Sequence, residues 1–532
     1  MGIPSFYRHL VKSNPSLIKK NLDGKAAVLA LDLNCAIYHC LSKLQKKTPY
    51  DPESRLDFEN RLIQSVIQYI VKLRDHVQPT DLLYIAVDGV VPIAKIRQQR
   101  LRRFKSVWMG IEESKIKGSG SVGWDRNAIT PGTQFMDALT KRLETWAKGV
   151  LSVKTVVSGV YDTGEGEQKI MSYLRENIPA DQVVVYGLDA DLIILCLWHR
   201  NIYNWSFKLL REEVEMTGGV KLDSFNEENF LYFDIDQLTD VLTENWTVGI
   251  KDFVGIMTFL GNDFVPHGMT LCIKDDGIDR LMEILERIGK PLIIKNDGFW
   301  SYDMNVLNIL LETVSNNEEK WLLSGVSKKL KMSACGGYKP RGVEVTENDK
   351  QMNALNGLPL VWKVERCLID YSEGGGYSLQ NDWANTYYGE FLWTETKDKV
   401  VTEWLKGCQW VLDYYTGSRN VDMLWYYAWY LPPLFSDISR VCKNLDSMPF
   451  IQSDGINPID AQMQLLMVLP IESYRLLPSR QRILAFKHPE YFPKQWGFFS
   501  AGRRQLWECE PLLPIIPYPI IRNFVQKMKQ IV

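Results

Sequence analysis

The sequence predicts an α/β protein with a mainly parallel central sheet flanked by helices and a second, mostly helical domain rich in aromatic residues. Between residues 26 and 267, apolar runs of strand length alternate with amphipathic helical stretches, which is typical of a parallel sheet. Several of these runs end in an acidic residue. The second half is rich in Trp, Tyr and Pro, and we expect it to pack against the sheet domain and close its crevice.

The composition sets the broad class of the protein. At 532 residues, with 45% hydrophobic content, the chain can bury a large core in two domains or one composite. Its 62 basic and 64 acidic residues exclude a generally polycationic nucleic-acid binder, so any such contact must be local. Nine Cys residues without a CxxC pair argue against a zinc module and favour reduced thiols. We expect an intracellular protein, with the cytoplasm slightly favoured over the nucleus, because no signal peptide or membrane-length apolar run is visible.

The first β-α-β unit begins with the apolar run AAVLALDLN at residues 26–34, which ends in Asp32. A helix follows from near Asn34 and carries Tyr38 and His39. Residues 56–76 form a second amphipathic stretch, and the strand LLYIAV at residues 82–87 then leads to Asp88. A single acid after a strand usually caps the next helix, so Asp32 becomes informative only because the pattern is repeated.

A cationic helix follows Asp88. Between Val90 and Ile111 there are six Lys or Arg side chains and no Asp or Glu. On a period of 3.6 residues, one polar face beside Asp88 contains Lys95, Gln99, Arg102 and Arg103. A solvated basic helix is the simpler alternative. A Gln among the cations favours a shaped pocket for a phosphate group instead.

Residues 106–128 lack periodicity and are predicted to form a loop, after which ITPGTQFMDAL begins a helix that runs to about Lys148. A short strand then leads into the sequence GEGE, in which glycines flank Glu165 and Glu167 at the entrance of a helix. Acids at a helix start are favourable by themselves. Two of them beside glycines also suit the close approach of a ligand.

Two further acidic positions follow apolar elements. The segment VVVYGLDADLIILCL contains a strand whose carboxyl end carries Asp189 and Asp191. A strand-like NFLYFDI lies within the mixed region 201–250, and KDFVGIMTFL then forms an apolar helix that ends at Gly261, just before Asp263.

These acids are expected to meet, because the carboxyl ends of parallel strands face one crevice. The set is Asp32, Asp88, Glu165, Glu167, Asp189, Asp191 and Asp263. Convergent carboxylates repel one another and need cations to stay ionised together. Oxygen ligands without Cys or clustered His suit Mg²⁺ or Mn²⁺, and two such ions about 4 Å apart support phosphoryl transfer. Beside the basic helix, the pattern predicts a metal-dependent phosphodiesterase.

The same motifs carry a resemblance to the 5′-to-3′ exoribonuclease (XRN) family. The chain resembles the family, in family order, through MGIPSFYRHL, LDLN, VDGVVPIAKIRQQRLRRF, ITPGTQFM, GEGEQKIM, VYGLDADLIIL and LGNDFVPH. In the second half, GCQWVLDYYTG, LWYYAWYLPPLFSD, QLLMVLP and LLPIIPYPIIRNF resemble its second conserved region. The resemblance covers nearly the whole chain, and the extra C-terminal domains of the long cytoplasmic members are not seen.

The resemblance implies a fold, an activity and a set of site residues. It implies a PIN/FEN-like nuclease core at residues 1–325, a linker at 326–360 and a second conserved region at 361–532 that closes the active-site crevice. By resemblance, the seven acids are metal ligands and catalytic residues, with Lys95 among the catalytic groups. The implied substrate-binding residues are Lys95, Gln99, Arg102, Arg103, Tyr38, His39 and Trp425. Where the family commonly has a His that stacks on the first base, this chain has Tyr38 beside His39.

Three functions are compatible with these patterns. The first is a processive exoribonuclease that uses two Mg²⁺ or Mn²⁺ ions and releases 5′-mononucleotides from single-stranded RNA with a 5′-monophosphate. The second is a flap endonuclease of the wider superfamily, although residues 264–300 show no helix-hairpin-helix pattern. The third is an inactive RNA-binding scaffold, which the complete acid set disfavours. We expect a monomer that does not bind membranes. The sequence does not identify any protein partner.

Overall fold

The computed structural model describes residue 3 and residues 6–118, 123–177, 182–217, 220–334, 346–371 and 376–530, with only the backbone of residues 213–217, 220–228 and 334 included. The strands are β1 Ile18–Lys19, β2 Val28–Asp32, β3 Leu82–Ala86, β4 Lys154–Ser158, β5 Gln182–Tyr186, β6 Ser206–Thr217, β7 Val220–Asp234, β8 Ile293–Asn296, β9 Phe299–Tyr302, β10 Ile369–Tyr371, β11 Tyr377–Leu379, β12 Phe498–Phe499 and β13 Glu510–Pro511.

The α-helices of the first half are α1 Phe6–Ser13, α2 Leu33–Lys47, α3 Arg55–Val77, α4 Ile93–Lys117, α5 Gln134–Ala147, α6 Gly166–Asn177, α7 Asp191–Tyr203, α8 Ile235–Asn245, α9 Ile250–Met257 and α10 Gly277–Ile288. Those that follow are α11 Met304–Ala334, α12 Glu347–Asn356, α13 Leu358–Trp362, α14 Trp383–Tyr387, α15 Lys397–Thr416, α16 Phe435–Cys442, α17 Ala461–Val468, α18 Leu484–Lys487 and α19 Tyr518–Gln530. Short 3₁₀ turns connect several of them, including Thr258–Leu260 directly after α9.

The central sheet has seven strands in the order β1-β7-β6-β5-β2-β3-β4. Neighbouring strands from β6 to β4 in this order are parallel, whereas β7 is antiparallel to β6 and β1 is antiparallel to β7. Ala30 at the middle of β2 pairs with Tyr84 of β3 on one side and Val185 of β5 on the other. The predicted α/β class, with a mainly parallel sheet, is therefore confirmed.

The sheet is buried on both faces, which explains why its strands read as continuous apolar runs. All five residues of β2 are buried. Val28 and Ala30 belong to one apolar cluster, and Leu29 and Leu31 belong to a second on the opposite face. Residues of α6, α7 and α9 lie in the first cluster, and residues of α2, α3 and α5 lie in the second.

The basic helix α4 is longer than predicted. The prediction of a loop at residues 106–128 is wrong for its first part, because α4 continues to Lys117 and ends where Gly118 adopts a left-handed φ of 63°. Trp108 holds this extension against the second half, with its ring 5.1 Å from that of Phe498. Close-range pairs such as Lys115 with Glu112 add further support on the exposed side.

The second half is mostly helical, as predicted, and contacts the sheet domain through α4. Apolar residues of α4, α17 and α19 form a third cluster. The predicted boundaries at 325/326 and 360/361 stay predictions. Helix α11 runs continuously across the first of them to Ala334, α12 and most of α13 occupy the remainder of the proposed linker, and residues 335–345 lie outside the described ranges.

The eight cysteines within the described ranges are free thiols. No helix in the described part of the chain combines the length and the apolar character that crossing a membrane requires.

Candidate active site

The structure places the predicted acids along one edge of the sheet. Asp32 is the last residue of β2, and Asp88 follows the end of β3 by two residues. Asp88 accepts a hydrogen bond of 2.8 Å from the backbone N–H of Gly166, at the start of α6, and one of 2.6 Å from the Asn34 side chain. The first β-α-β unit and the GEGE turn are thereby joined directly.

Glycine is required at position 166 by close packing. A Cβ atom there would collide with the carboxylate of Asp32. The glycine thus lets the start of α6 approach the end of β2, and brings Glu165 and Glu167 to the same edge. Asp191 is the first residue of α7, after β5, and is buried.

Lys95 occupies the centre of this cluster. Its ammonium group pairs with the carboxylate of Glu165 and, at 2.7 Å, with that of Asp263. Burial lowers the pKa of Lys95, but the charges of Asp263 and Glu165 outweigh burial and raise it well above its usual value. Asp263 is delivered by the turn after α9, so this lysine ties the basic helix to two separate acidic segments.

The buried carboxylates disfavour one another's charge. Burial raises the pKa of Asp32 well above its usual value, and the carboxylate of Asp88 raises it further. Burial also raises the pKa of Glu167. The pKa of Asp191 rises to about 7 through burial and the charge of Asp263. A site of this kind gains stability from a bound cation, because the cation favours the ionised form of every surrounding carboxylate.

The donor set fits a hard divalent ion. All candidate ligands are carboxylate oxygens, and Asp191 Oδ1 is buried without a hydrogen-bond partner in the described part of the protein. Among the described residues, no three acidic, His or Cys groups already have the spacing to hold an ion.

The four predicted phosphate-binding residues of α4 differ in their surroundings. Gln99 is buried, and its side-chain oxygen lies 3.4 Å from the amide nitrogen of Gln464 in α17. Arg103 is also buried and donates a hydrogen bond of 2.9 Å to Asn127. Burial lowers the pKa of Arg103. The protein itself therefore uses part of the binding capacity of both side chains.

Arg102 is the most available cation of this face. Its side chain is partly exposed, and it forms no ion pair within the described ranges. Burial opposes its charge, but the Tyr38 hydroxyl and the Asp263 carboxylate outweigh burial and raise the pKa of Arg102. Arg102 therefore stands beside the acid cluster without a direct ion pair in the described part of the chain.

The two aromatic candidates on α2 lie in different surroundings. Tyr38 is 40% exposed and lies close enough to Arg102 to affect its pKa. His39 is only 8% exposed, and its ring packs 4.8 Å from that of Tyr69 in the core. Of this pair, only Tyr38 is brought to the site.

Trp425 is mostly enclosed. Its side chain is 8% exposed, its ring nitrogen donates a hydrogen bond of 3.1 Å to Glu403, and its ring lies 5.4 Å from that of Trp410. Phe264, the neighbour of Asp263, also packs on Trp410 at 5.0 Å. Trp425 thus supports the segment that carries Asp263, and its substrate-guiding role stays a prediction.

Sequence reasoning assigned no role to Tyr414 or Asn34. The hydroxyl of Tyr414, in α15, donates a hydrogen bond of 2.8 Å to Glu165. Asn34 lies in the LDLN motif, two residues after Asp32. This position could have indicated that Asn34 contacts Asp88. The sequence around Tyr414 does not indicate a site residue, because Tyr414 is one of several aromatic residues in α15, a mostly buried helix.

Replacing Tyr414 by Phe is expected to destabilise the fold by about 1 to 3 kcal/mol, because it leaves a buried oxygen of Glu165 without its donor. The adjacent Tyr415→Phe is the matched comparison. The Tyr415 hydroxyl is buried without a hydrogen-bond partner in the described structure, so its removal should cost nothing or stabilise the protein. Urea unfolding of both variants measures the difference, and equal losses of unfolding free energy would contradict this account.

An acid cluster at the carboxyl edge of a parallel sheet, beside a helix of Lys and Arg, is typical of an enzyme that acts on phosphate esters. Two family models match this chain. The model described as "XRN 5'-3' exonuclease N-terminus" covers residues 1–213, and that described as "Xrn1 helical domain" covers residues 245–324 and 380–530. The chain therefore belongs to the XRN family of 5′-3′ exonucleases, as the sequence motifs predicted.

Similar curated proteins carry consistent names. The chain is 30% identical to a 5'-3' exoribonuclease 2 of Candida albicans, over 99% of its own length and 72% of that protein. It is 28% identical to a human 5'-3' exoribonuclease 1, over 97% of its length and 33% of that protein. A Gallus gallus 5'-3' exoribonuclease 2 is 25% identical over 99% of the chain and 70% of that protein. The chain thus spans a third of the human relative and most of the other two.

Proposed function

We propose that this protein is a processive 5′-to-3′ exoribonuclease that hydrolyses single-stranded RNA with a 5′-monophosphate to 5′-mononucleotides. The observation that carries the proposal is the junction at Lys95. There, the predicted phosphate-binding face of α4 meets the acids of two other segments, because Lys95 pairs with Glu165 just before α6 and with Asp263 in the turn after α9. Membership of the XRN family supports the same activity.

The seven acids are proposed to hold two Mg²⁺ or Mn²⁺ ions. Asp191 is the best placed of them, because its Oδ1 atom is buried without a partner in the described structure. Such ions supply charge stabilisation at the attacking and leaving oxygens of a phosphodiester. Asn34 and the backbone N–H of Gly166 hold Asp88 in position, while Tyr414 holds Glu165.

The choice of RNA end is assigned to α4 and α2. Arg102 is proposed to bind the terminal phosphate, with Lys95, Gln99 and Arg103 around it. The half-exposed Tyr38 ring beside Arg102 is proposed to stack on the first base. The apolar packing of α4 against α17 and α19 supports a second domain that closes the crevice, and a closed crevice would admit a single strand with a free end.

Arg102→Ala tests this assignment directly. We expect degradation of 5′-phosphate RNA to fall about ten- to a hundredfold, because a charge-assisted hydrogen bond contributes roughly 1.5 to 3 kcal/mol. Residual action on 5′-hydroxyl RNA should fall much less, so the two rates should approach each other. End-labelled RNAs of one sequence, compared at a fixed salt concentration, provide the measurement.

A double variant, Lys115→Ala with Lys117→Ala, is the control. Both lysines are exposed and lie at the far end of the same helix, so the variant removes positive charge from α4 without touching the site. It should leave the preference for a 5′-phosphate intact. Equal slowing of both RNAs by Arg102→Ala would show an ordinary backbone contact, and degradation of circular RNA would support an endonuclease.

A further inference from the structure

A second cavity opens on the neighbouring face of α4, and we call it the Trp507 pocket. It has a volume of about 170 Å³ and lies between α4, the loop after Asp263, Tyr430 and the segment 502–510. Arg102 and Asp263 line this cavity and also belong to the candidate active site. The two spaces therefore adjoin.

The pocket carries an excess of positive charge. Six Lys or Arg and four Asp or Glu side chains line it. Asp275 is neutralised by Arg504 at 2.7 Å, and Glu508 is paired with Lys274. Asp263 is paired with Lys95, which lies outside the pocket lining. Within the described ranges, the lining cations that form no ion pair with a carboxylate are Arg97, Arg102, Lys105 and Arg503.

These four cations form no direct ion pair within the described ranges, although the carboxylate of Glu510 lies close enough to Lys105, Arg503 and Arg97 to interact with their charges. Lys105 donates hydrogen bonds to two backbone carbonyls, at 2.9 and 2.6 Å. The guanidinium of Arg97 lies 4.9 Å from the centre of the Tyr430 ring. Arg503 contacts the imidazole of His267, and burial together with the Arg503 charge lowers the pKa of His267 well below its usual value, so this partner stays neutral. The cations are thus fixed in place. The cations that line the pocket outnumber the lining carboxylates, and burial raises the pKa of Glu510, the carboxylate that faces three of them.

The wall also has unused hydrogen-bonding capacity. Arg503 is only 6% exposed, and its Nε atom has no hydrogen-bond partner in the described structure. The same holds for Asn262 Nδ2 and Gln98 Oε1, which belong to residues that line the cavity. Buried polar atoms of this kind are costly unless a polar ligand or water reaches them. Two donors and one acceptor suit a ligand that carries both charge and polar groups.

An aromatic ring stands at the mouth of the pocket. Trp507 is 47% exposed, and the Lys274 ammonium lies 5.0 Å from the centre of its ring. An exposed indole beside a cation is a surface on which a nucleobase stacks, whatever the base. Inorganic phosphate would use the cations of the pocket but not this ring.

We propose that the Trp507 pocket binds a nucleoside 5′-monophosphate, with Arg102 at its phosphate and the Trp507 ring against its base. The inference rests on the proposed function, because such a mononucleotide is the product released at the adjoining acid cluster. The pocket then retains product beside the site, and accumulated mononucleotide competes with the next phosphate for Arg102.

Calorimetric titration of the whole protein with adenosine 5′-monophosphate, in a chelator and at fixed salt, tests this proposal. The nucleotide should bind more tightly than either adenosine or inorganic phosphate. Trp507→Ala should weaken nucleotide binding about tenfold, since the stacking surface is lost. It should leave phosphate binding unchanged. Phe486→Ala is the matched control, because Phe486 is 84% exposed and lies outside the pocket, and it should bind the nucleotide like the parent protein.

A second variant separates this pocket from the 5′-phosphate site. Gln99→Ala alters the proposed 5′-phosphate site but not the Trp507 pocket, and should leave binding of the mononucleotide near that of the parent. Binding that is lost in Gln99→Ala and unchanged in Trp507→Ala would overturn the inference. RNA degradation is measured separately on the same proteins. A parent protein that binds the nucleotide through Trp507 but degrades no RNA would contradict the proposed function and leave the binding site standing.

Discussion

Asp191→Asn is expected to reduce RNA degradation at least about a hundredfold while the protein remains folded. The side chain keeps its shape but loses the charge that the proposed ions require. The fold should not suffer, because burial and Asp263 already raise the pKa of Asp191 to about 7 and make its ionised form unfavourable in the native protein. Turnover of end-labelled 5′-phosphate RNA and a thermal melt of the same sample measure the two effects.

Asp297→Asn is the control for this change. Asp297 is an exposed acid in the turn between β8 and β9, it is not one of the predicted ligands, and its φ of 50° suits Asn as well as Asp. The activity and melting temperature of Asp297→Asn should match those of the parent protein. Near-normal turnover of Asp191→Asn in Mg²⁺ would refute the metal assignment. A melting temperature lowered by more than about 5 °C would instead indicate a structural role for Asp191.

Removal of divalent metal is expected to abolish the activity completely. Chelation should stop degradation, and Mg²⁺ or Mn²⁺ should restore it. Ca²⁺ should bind without supporting turnover, because this larger ion accepts irregular coordination and does not impose near-octahedral geometry. Full activity in a chelator would contradict the two-ion proposal.

The same titration has a readout that does not depend on turnover. An ion that binds only the native protein stabilises it by about 2.7 kcal/mol at a concentration a hundred times its dissociation constant. Mg²⁺ should therefore raise the melting temperature of the parent protein, and Ca²⁺ should do so as well. In Asp191→Asn both shifts should be much smaller, since one ligand is lost. An equal shift in parent and variant would place the ions elsewhere on the protein.

The sequence by itself determined the sheet domain and the position of its acids. Alternating apolar runs fix parallel strands, and parallel strands bring residues at their carboxyl ends to one edge. Asp32, Asp88 and Asp191 could therefore be predicted from local pattern alone. The role of the GEGE turn could also be predicted from the sequence. Its glycines permit the close approach of α6 to β2 that the structure contains.

Local pattern was less reliable where contacts with distant segments also decide the structure. Residues 106–117 have little periodicity, yet they remain helical because Trp108 packs on Phe498, nearly 400 positions along the chain. Helical propensity and tertiary packing act together there, and a sequence window contains only the first. His39 shows the same limit, since only the packing of its ring on Tyr69 decides that it faces the core.

The tertiary structure alone decided which polar groups serve the site and which serve the fold. Tyr414 reaches Glu165 across 249 residues of sequence. Arg103 is partly engaged by Asn127, whereas Arg102, its neighbour in sequence, stays available. Topology constrains backbone positions, so residue types at strand ends can be read from the sequence. The partner of a long polar side chain depends on elements that meet only in the folded chain, and no local pattern encodes that choice.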